Sequence, residues 1–276
     1  MQTILAIFAH PDDEVFAAGG VLAKYGALGV HTVLLCATRG EVGEISDPAL
    51  ATPETLAEVR TRELEQAVHA LGIHELHFLG FRDSGMVGTP ENEDARSLHK
   101  ADANEAVRRL VHLMRTVKPD LVITHDPTGG YGHPDHIAVC KHVTSAFAAV
   151  SDGQRFAEDG PAWQPSRLYY QVVPKSFFRM MHEQMVAAGV DTSQWDRLGF
   201  DKLGVEDHEI THIVDVSAQF EQKMAAFAAH KTQFGPDNPM QQMPEAMQRQ
   251  VFGRETFVLA VPPKQVEGGQ SQDLFT

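Results

Sequence analysis

Only two cysteines, Cys36 and Cys140, occur in the 276 residues. They lie far apart in apolar or helix-like stretches, which excludes a disulfide framework and points to buried thiols in a reducing compartment. No apolar stretch reaches membrane-spanning length. The apolar opening Thr3–Ala9 is too short for a secretory signal and lacks a basic leader, so the expected location is cytoplasmic. Positive charge is also scarce: 23 Lys+Arg stand against 37 Asp+Glu, a net charge of −14. That balance argues against a nucleic-acid partner, which needs a basic patch, and against docking on an anionic membrane. The glycine-rich stretch Gly129-Gly130-Tyr131-Gly132 is not followed by Lys-Ser/Thr, so a phosphate-cradling loop is disfavoured. What the chain does have is 43 % hydrophobic and 22 % charged residues, the composition of a globular protein with a sizeable core.

Short apolar runs alternate with helical periodicities. Ile4–Ala9, Thr32–Ala37, Leu76–Leu79 and Leu121–Thr124 read as strands buried on both faces, with Leu168–Val173 and Ile213–Val216 as further strands. Helices are expected over Val15–Leu28, from the N-cap Thr52 to Leu71, and over Ala103–Val117, Ile137–Val150, Phe177–Ala188 and Ala218–His230. Strand–helix order repeated four times predicts an α/β layered fold with a mostly parallel sheet and helices on both faces. With no strong linker, the chain reads as one domain: a core over 1–150, an elaborated C-terminal part over 151–265 with an irregular excursion at 189–210, and a polar, frayed tail at 266–276.

The triplet His-Pro-Asp occurs twice, in His10-Pro11-Asp12-Asp13-Glu14 and in His133-Pro134-Asp135-His136, each time after a strand-like run. One copy alone would be an ordinary turn. Two copies after two strand ends bring together the mixed nitrogen and oxygen donors that zinc favours, at the place where an open α/β sheet carries its chemistry. His10 and Asp13 have the i, i+3 spacing that shares a face, as do His133 and His136. A catalytic ion needs three protein ligands and an open position, so the surplus donors are free to act as acid or base. Glu14 and Asp135 read as groups that orient these loops or a ligand histidine. His125 stands between a pocket-lining and a structural role. Arg39 and Arg82 stand between binding an anionic group and plain solvation. Glu63 reads as solvated or paired with Arg62.

These motifs resemble the signature of the LmbE-like (PIG-L) zinc de-N-acetylase family. The longer string from Asp126 to His136 resembles the branch containing the mycothiol-pathway GlcNAc-inositol deacetylase and mycothiol-conjugate amidase. Thr38-x-Gly40-Glu41, the stretch from Arg60 through Glu63 and Ala67 to Leu71-Gly72, and Asp83-Ser84-Gly85-Met86 share the pattern. The resemblance covers most of residues 1–145, with a weaker echo at His230-Lys231-Thr232-Gln233. It implies a Rossmann-like fold with His10, Asp13 and His136 as metal ligands and Asp12 as general base. His133 would stabilise the oxyanion or protonate the leaving amine, and Tyr131 would lie on a mobile loop near the acyl oxygen. Arg60 and Asp83 would contact the sugar. The implied cofactor is one zinc ion per chain, with Fe²⁺ or Co²⁺ as alternatives. The implied partner is a small sugar conjugate, of GlcNAc-inositol or GlcNAc-malate type, which would lose its N-acetyl group as acetate. The alternative is an amidase of the same fold that cleaves a larger amide, such as a mycothiol S-conjugate. Oligomeric state, including a homo-oligomer, stays open.

Overall fold

The computed structural model describes residues 1–187, 203–235, 243–263 and 270–276, and the single positions 189, 191, 192, 199, 238 and 240. Its strands are β1 (Thr3–Phe8), β2 (His31–Cys36), β3 (Glu75–Phe78), β4 (Leu121–His125), β5 (Arg167–Val172), β6 (His212–Asp215) and β7 (Arg254–Val261). Its helices are α1 (Asp13–Ala17), α2 (Gly19–Ala27), α3 (Leu56–Leu71), α4 (Ala103–Val117), α5 (Pro134–Ala149), α6 (Lys175–Ala187), α7 (Phe220–Ala229) and α8 (Glu245–Phe252). The strands form one sheet in the order β3-β2-β1-β4-β5-β7-β6. β3 through β5 are parallel, and β7 is antiparallel to both its neighbours.

Alternation along β1 shows why the first strands read as unbroken apolar runs. Ile4, Ala6 and Phe8 pack with α1, α2, α3 and α7 on one face, while Leu5, Ile7 and Ala9 pack with α4 and α5 on the other. A strand covered on both faces has no position for a polar side chain.

Four expectations need correction. The first helix is two helices, because Ala18 leaves helical dihedrals at φ −153°. The break exposes the N–H groups of Gly20 and Val21, and the Glu255 carboxylate accepts both at 2.8 Å. A carboxylate at a helix N-terminus satisfies orphan donors and favours the helix dipole. The next helix starts one turn later than expected: Thr52 donates its N–H to Thr55 Oγ1 in a preceding turn, and Thr55 is the N-cap. Strand β7 and helix α8 were not read from the sequence at all. Finally, 270–276 is not frayed. Leu274 is fully buried, its carbonyl accepts the Tyr169 hydroxyl at 2.8 Å, and Asp273 accepts the Tyr25 hydroxyl at 2.7 Å. The rest of the expected tail, 266–269, and residues 190, 193–198 and 200–202 of the expected excursion at 189–210 lie outside the described residues.

Candidate metal centre and active site

The chain leaves β1 toward β2 and β3 on one side and toward β4 and β5 on the other. The crevice at the carboxyl ends of β1 and β4 is therefore the topological switch point, the expected site in an open α/β sheet. His10, Asp12 and Asp13 follow β1, His125 ends β4, and His133 is the N-cap of α5.

His10 Nδ1 lies 3.5 Å from Asp13 Oδ2 and 3.3 Å from His136 Nε2. Asp13 Oδ1 lies 3.2 Å from the same His136 nitrogen. Ligands held by a tetrahedral ion at about 2.0–2.1 Å stand about 3.3–3.4 Å from one another. The two imidazole nitrogens and the Asp13 carboxylate already have about that spacing, through Oδ2 toward His10 and Oδ1 toward His136. Their electrostatics fit a cation as well. Burial works against a charged His10, but Asp13, Asp135 and Asp83 outweigh it and raise its pKa well above 6.5. Burial also opposes ionisation of Asp13, yet His136, His125 and His10 hold its carboxyl well below the ordinary 3.8. The cluster draws in positive charge, and a divalent cation supplies it without a proton.

Three groups of donors with atoms within 4.8 Å of one another can hold an ion: His10 with His133 and His136, Asp13 with His125 and His136, and His10 with Asp83 and Asp135. Several lone pairs in these groups are engaged elsewhere. His125 Nε2 accepts the Ala9 N–H at 3.1 Å, and its ring stacks on His136 at 4.0 Å. Burial, with His136 beside it, pushes His125 down to about 4. His133 Nδ1 accepts the Asp135 N–H at 3.1 Å, which leaves the proton on Nε2. Burial, with His10 and His136 nearby, pushes His133 down to about 4 as well. His10 Nε2 lies 3.2 Å from Asp135 Oδ2.

Asp12 occupies a left-handed conformation, φ 109° and ψ −26°. Its N–H donates to Glu14 Oε2 at 2.9 Å. Arg60 Nη2 donates to Asp12 Oδ2 at 3.0 Å and to the Pro11 carbonyl at 2.5 Å. Burial pushes the Asp12 carboxyl up to about 6, with Arg60 pulling the other way.

The PIG-L family, described as GlcNAc-PI de-N-acetylase, matches residues 5–147. This chain belongs to it. The chain is 35 % identical over 285 residues to the 1D-myo-inositol 2-acetamido-2-deoxy-alpha-D-glucopyranoside deacetylase of Geodermatophilus obscurus, covering 99 % of this chain and 97 % of that one. It is 36 % identical to the Kineococcus radiotolerans enzyme of the same name, covering 99 % and 82 %. Among solved structures, the N,N'-diacetylchitobiose deacetylase of Pyrococcus horikoshii shares the fold at a TM-score of 0.66 and 22 % identity, covering 94 % of this chain and 83 % of that one. Like other PIG-L members, the chain is a hydrolytic de-N-acetylase.

Of the remaining residues picked out in this PIG-L chain, Asp83, Arg60 and Tyr131 fall around the same crevice, while Arg39 and Arg82 have partners of their own. Asp83 is buried, with Oδ1 3.5 Å from His10 Nε2 and accepting the Gly85 N–H at 2.8 Å. Arg60 is also buried, and beyond Asp12 and Pro11 it donates to the Gly40 carbonyl at 3.1 Å. Gly40, at φ +64°, has room only for hydrogen, since a Cβ there would lie 2.1 Å from Arg60 Nη1. Tyr131 is 57 % exposed, with its ring 6.1 Å from that of His133. Arg39 stacks 5.5 Å from the centroid of the Phe78 ring, and Arg82 pairs with Asp94 at 3.3 Å.

Sequence reasoning gave no role to Ser84 and placed Glu63 wrongly. Ser84 donates its N–H to Asp135 Oδ2 at 2.9 Å and its hydroxyl to Asp135 Oδ1. That fixes the carboxylate facing His10, in the carboxylate–histidine arrangement that orients metal ligands. Glu63 is neither solvated nor paired with Arg62: it is buried and accepts the Thr232 N–H at 2.8 Å and hydroxyl at 2.5 Å. Its i, i+3 spacing from Arg60, whose own burial was also unforeseen, was the available signal.

Proposed function

We propose that this chain removes the N-acetyl group from a small GlcNAc conjugate of the GlcNAc-inositol type, releasing acetate and a free amine. The observation that carries the reading is the trio His10 Nδ1, Asp13 and His136 Nε2 at ligand spacing, with the braced Asp12 carboxylate beside it. The sugar conjugate follows from near full-length relatives named for that activity. His10, Asp13 and His136 would hold the ion, because the competing donors of His125 and His133 already accept backbone N–H groups. The same reading takes zinc as the ion, with Fe²⁺ or Co²⁺ accepted by the same donors. It places the enzyme in the cytoplasm, in keeping with the buried free thiols of Cys36 and Cys140. Among the described residues no helix is long and apolar enough to cross a membrane.

When bound, the ion supplies Lewis-acid polarisation of the acetyl carbonyl and makes water nucleophilic near neutral pH. Asp12 takes the proton of the attacking water as the new C–O bond forms. It returns that proton to nitrogen as the C–N bond breaks, since an amide anion leaves poorly. His133 donates its Nε2–H to the developing oxyanion. Its Nδ1 is tied to the Asp135 N–H, so the neutral donor role suits it better than an imidazolium acid. Tyr131, at the rim, adds a hydroxyl on the same side. Arg60 and Asp83 remain the proposed sugar contacts, though both carry protein hydrogen bonds that a sugar hydroxyl would share.

Acetate release from GlcNAc-inositol and GlcNAc-malate, and free-amine release from a mycothiol S-conjugate, with metal analysis of the same sample, test this reading. Turnover is expected with GlcNAc-inositol. Cleavage of the S-conjugate alone would make the chain an amidase, and no product from any of them by the metal-loaded protein would refute the proposal.

A further inference from the structure

The first half of the chain supplies every side chain assigned so far, yet one residue of the second half reaches the catalytic loop. His230, at the C-cap of α7, is fully buried, and its Nε2 lies 2.6 Å from Glu14 Oε1. The other oxygen of Glu14 accepts the Asp12 N–H. Asp12 is held at φ 109°, where a side chain other than that of glycine is strained and persists only if the surroundings over-determine it. Two groups brace it: Glu14 on its N–H, and Arg60 on its carboxylate and on the preceding carbonyl.

His230 and its neighbours secure both braces. Glu14 is held by His230 directly. Arg60 sits on α3, and Thr232 ties down the same helix through Glu63, one turn further along. Packing alone does not call for an imidazole at this place. Among the described residues His230 Nδ1 is buried without a hydrogen-bond partner, a cost that an apolar side chain of similar size avoids. What the imidazole supplies is the hydrogen bond to Glu14.

Resting on the assignment of Asp12 as base, we propose that His230 is a positioning residue for the reaction: through Glu14 it fixes the backbone that aims the Asp12 carboxylate. The test uses the full metal-loaded chain and the variants H230L and H230Q; Gln retains an Nε2 donor for Glu14. Readouts are kcat, KM, metal per chain and deuterium uptake at the Asp12 amide. H230L is expected to lower kcat by about 10- to 100-fold, the usual range for losing a supporting partner. KM and metal content stay unchanged, Asp12 exchanges faster, and H230Q restores most of the rate. Wild-type kcat in H230L, an H230Q as slow as H230L, or metal lost in parallel with rate would each overturn the proposal. If H230L does not fold, H230M replaces it, and failure of both apolar variants to fold would make His230 purely structural. The exchange readout needs no turnover. A wild type that releases no acetate would therefore refute the assigned reaction, while exchange at Asp12 still reports whether His230 braces it.

Discussion

As the proposed base, Asp12 must be buried and still ionise. Burial raises its pKa to about 6 against an ordinary 3.8, while Arg60 limits the rise. An acid with a raised folded-state pKa binds its proton more tightly folded than unfolded. Its ionised form therefore costs stability above about pH 6, and the cost disappears as pH falls toward the unfolded value near 4. Asp12→Asn removes that cost. In metal-free protein the variant is expected to melt higher than wild type at about pH 7.5, with the gain shrinking toward about pH 4. A gain that does not vary with pH would assign the effect to backbone conformation instead. The same substitution should abolish acetate release while leaving bound metal intact; if metal fell with activity, Asp12 would be a ligand. In the wild type, kcat/KM should decline on the acid side with a midpoint no higher than about 6, because a bound cation stabilises the carboxylate further. Ser84 acts one step out. Ser84→Ala removes the hydroxyl bond to Asp135 Oδ1 and leaves the backbone N–H on Oδ2, the oxygen that faces His10. The carboxylate is then held by one bond fewer, and metal affinity measured by chelator competition is expected to weaken by up to about 10-fold. An unchanged affinity would show that Asp135 holds His10 without the Ser84 hydroxyl.

Loops at strand ends set these residues, and their glycines carry part of the geometry. Gly40→Ala places a Cβ where Arg60 Nη1 now lies, at a backbone angle of φ +64°. Arg60 must then withdraw from Asp12. The variant is expected to lose about 10-fold or more in kcat, as when an orienting partner is removed; wild-type kcat would show that Arg60 does not govern the base. The elements behind these loops were largely legible from the sequence. β1, β2 and β4 announce themselves because burial on both faces makes each an unbroken apolar run, and the two His-Pro-Asp turns follow β1 and open α5. β7 was missed although Phe257-Val258-Leu259 is apolar, because its place between β5 and β6 is a long-range pairing that no local pattern encodes. The break at Ala18 was illegible for a related reason: the group that stabilises it, Glu255, lies on β7. The proposed ligand trio could be named from motif resemblance; the Ala9 N–H that engages His125 is brought into range only by the fold, whereas the Asp135 N–H on His133 is a local N-cap bond two residues away.

Over the whole molecule, the second half locks onto the first through buried charge. Lys223 of α7 and Glu255 of β7 pair at 2.6 Å with both side chains almost wholly buried, and Glu255 also caps α2 behind the catalytic turn. The two partners are not equally dependent on each other. Without Lys223, the Glu255 carboxylate keeps the N–H groups of Gly20 and Val21 and the positive end of α2. Without Glu255, the Lys223 ammonium keeps, among the described residues, only the Phe252 ring, 5.6 Å away. Breaking a buried pair typically costs about 3–5 kcal/mol because a charge is stranded. Lys223→Met is expected near the lower end of that range and Glu255→Leu at or above the upper end, read as unfolding free energies in urea. The double variant strands no charge and should cost less than the sum of the two. Equal single costs, or simple additivity, would mean that Glu255 acts on α2 and on Lys223 independently, and that Lys223 does not support the Glu255 contact with the first half of the chain.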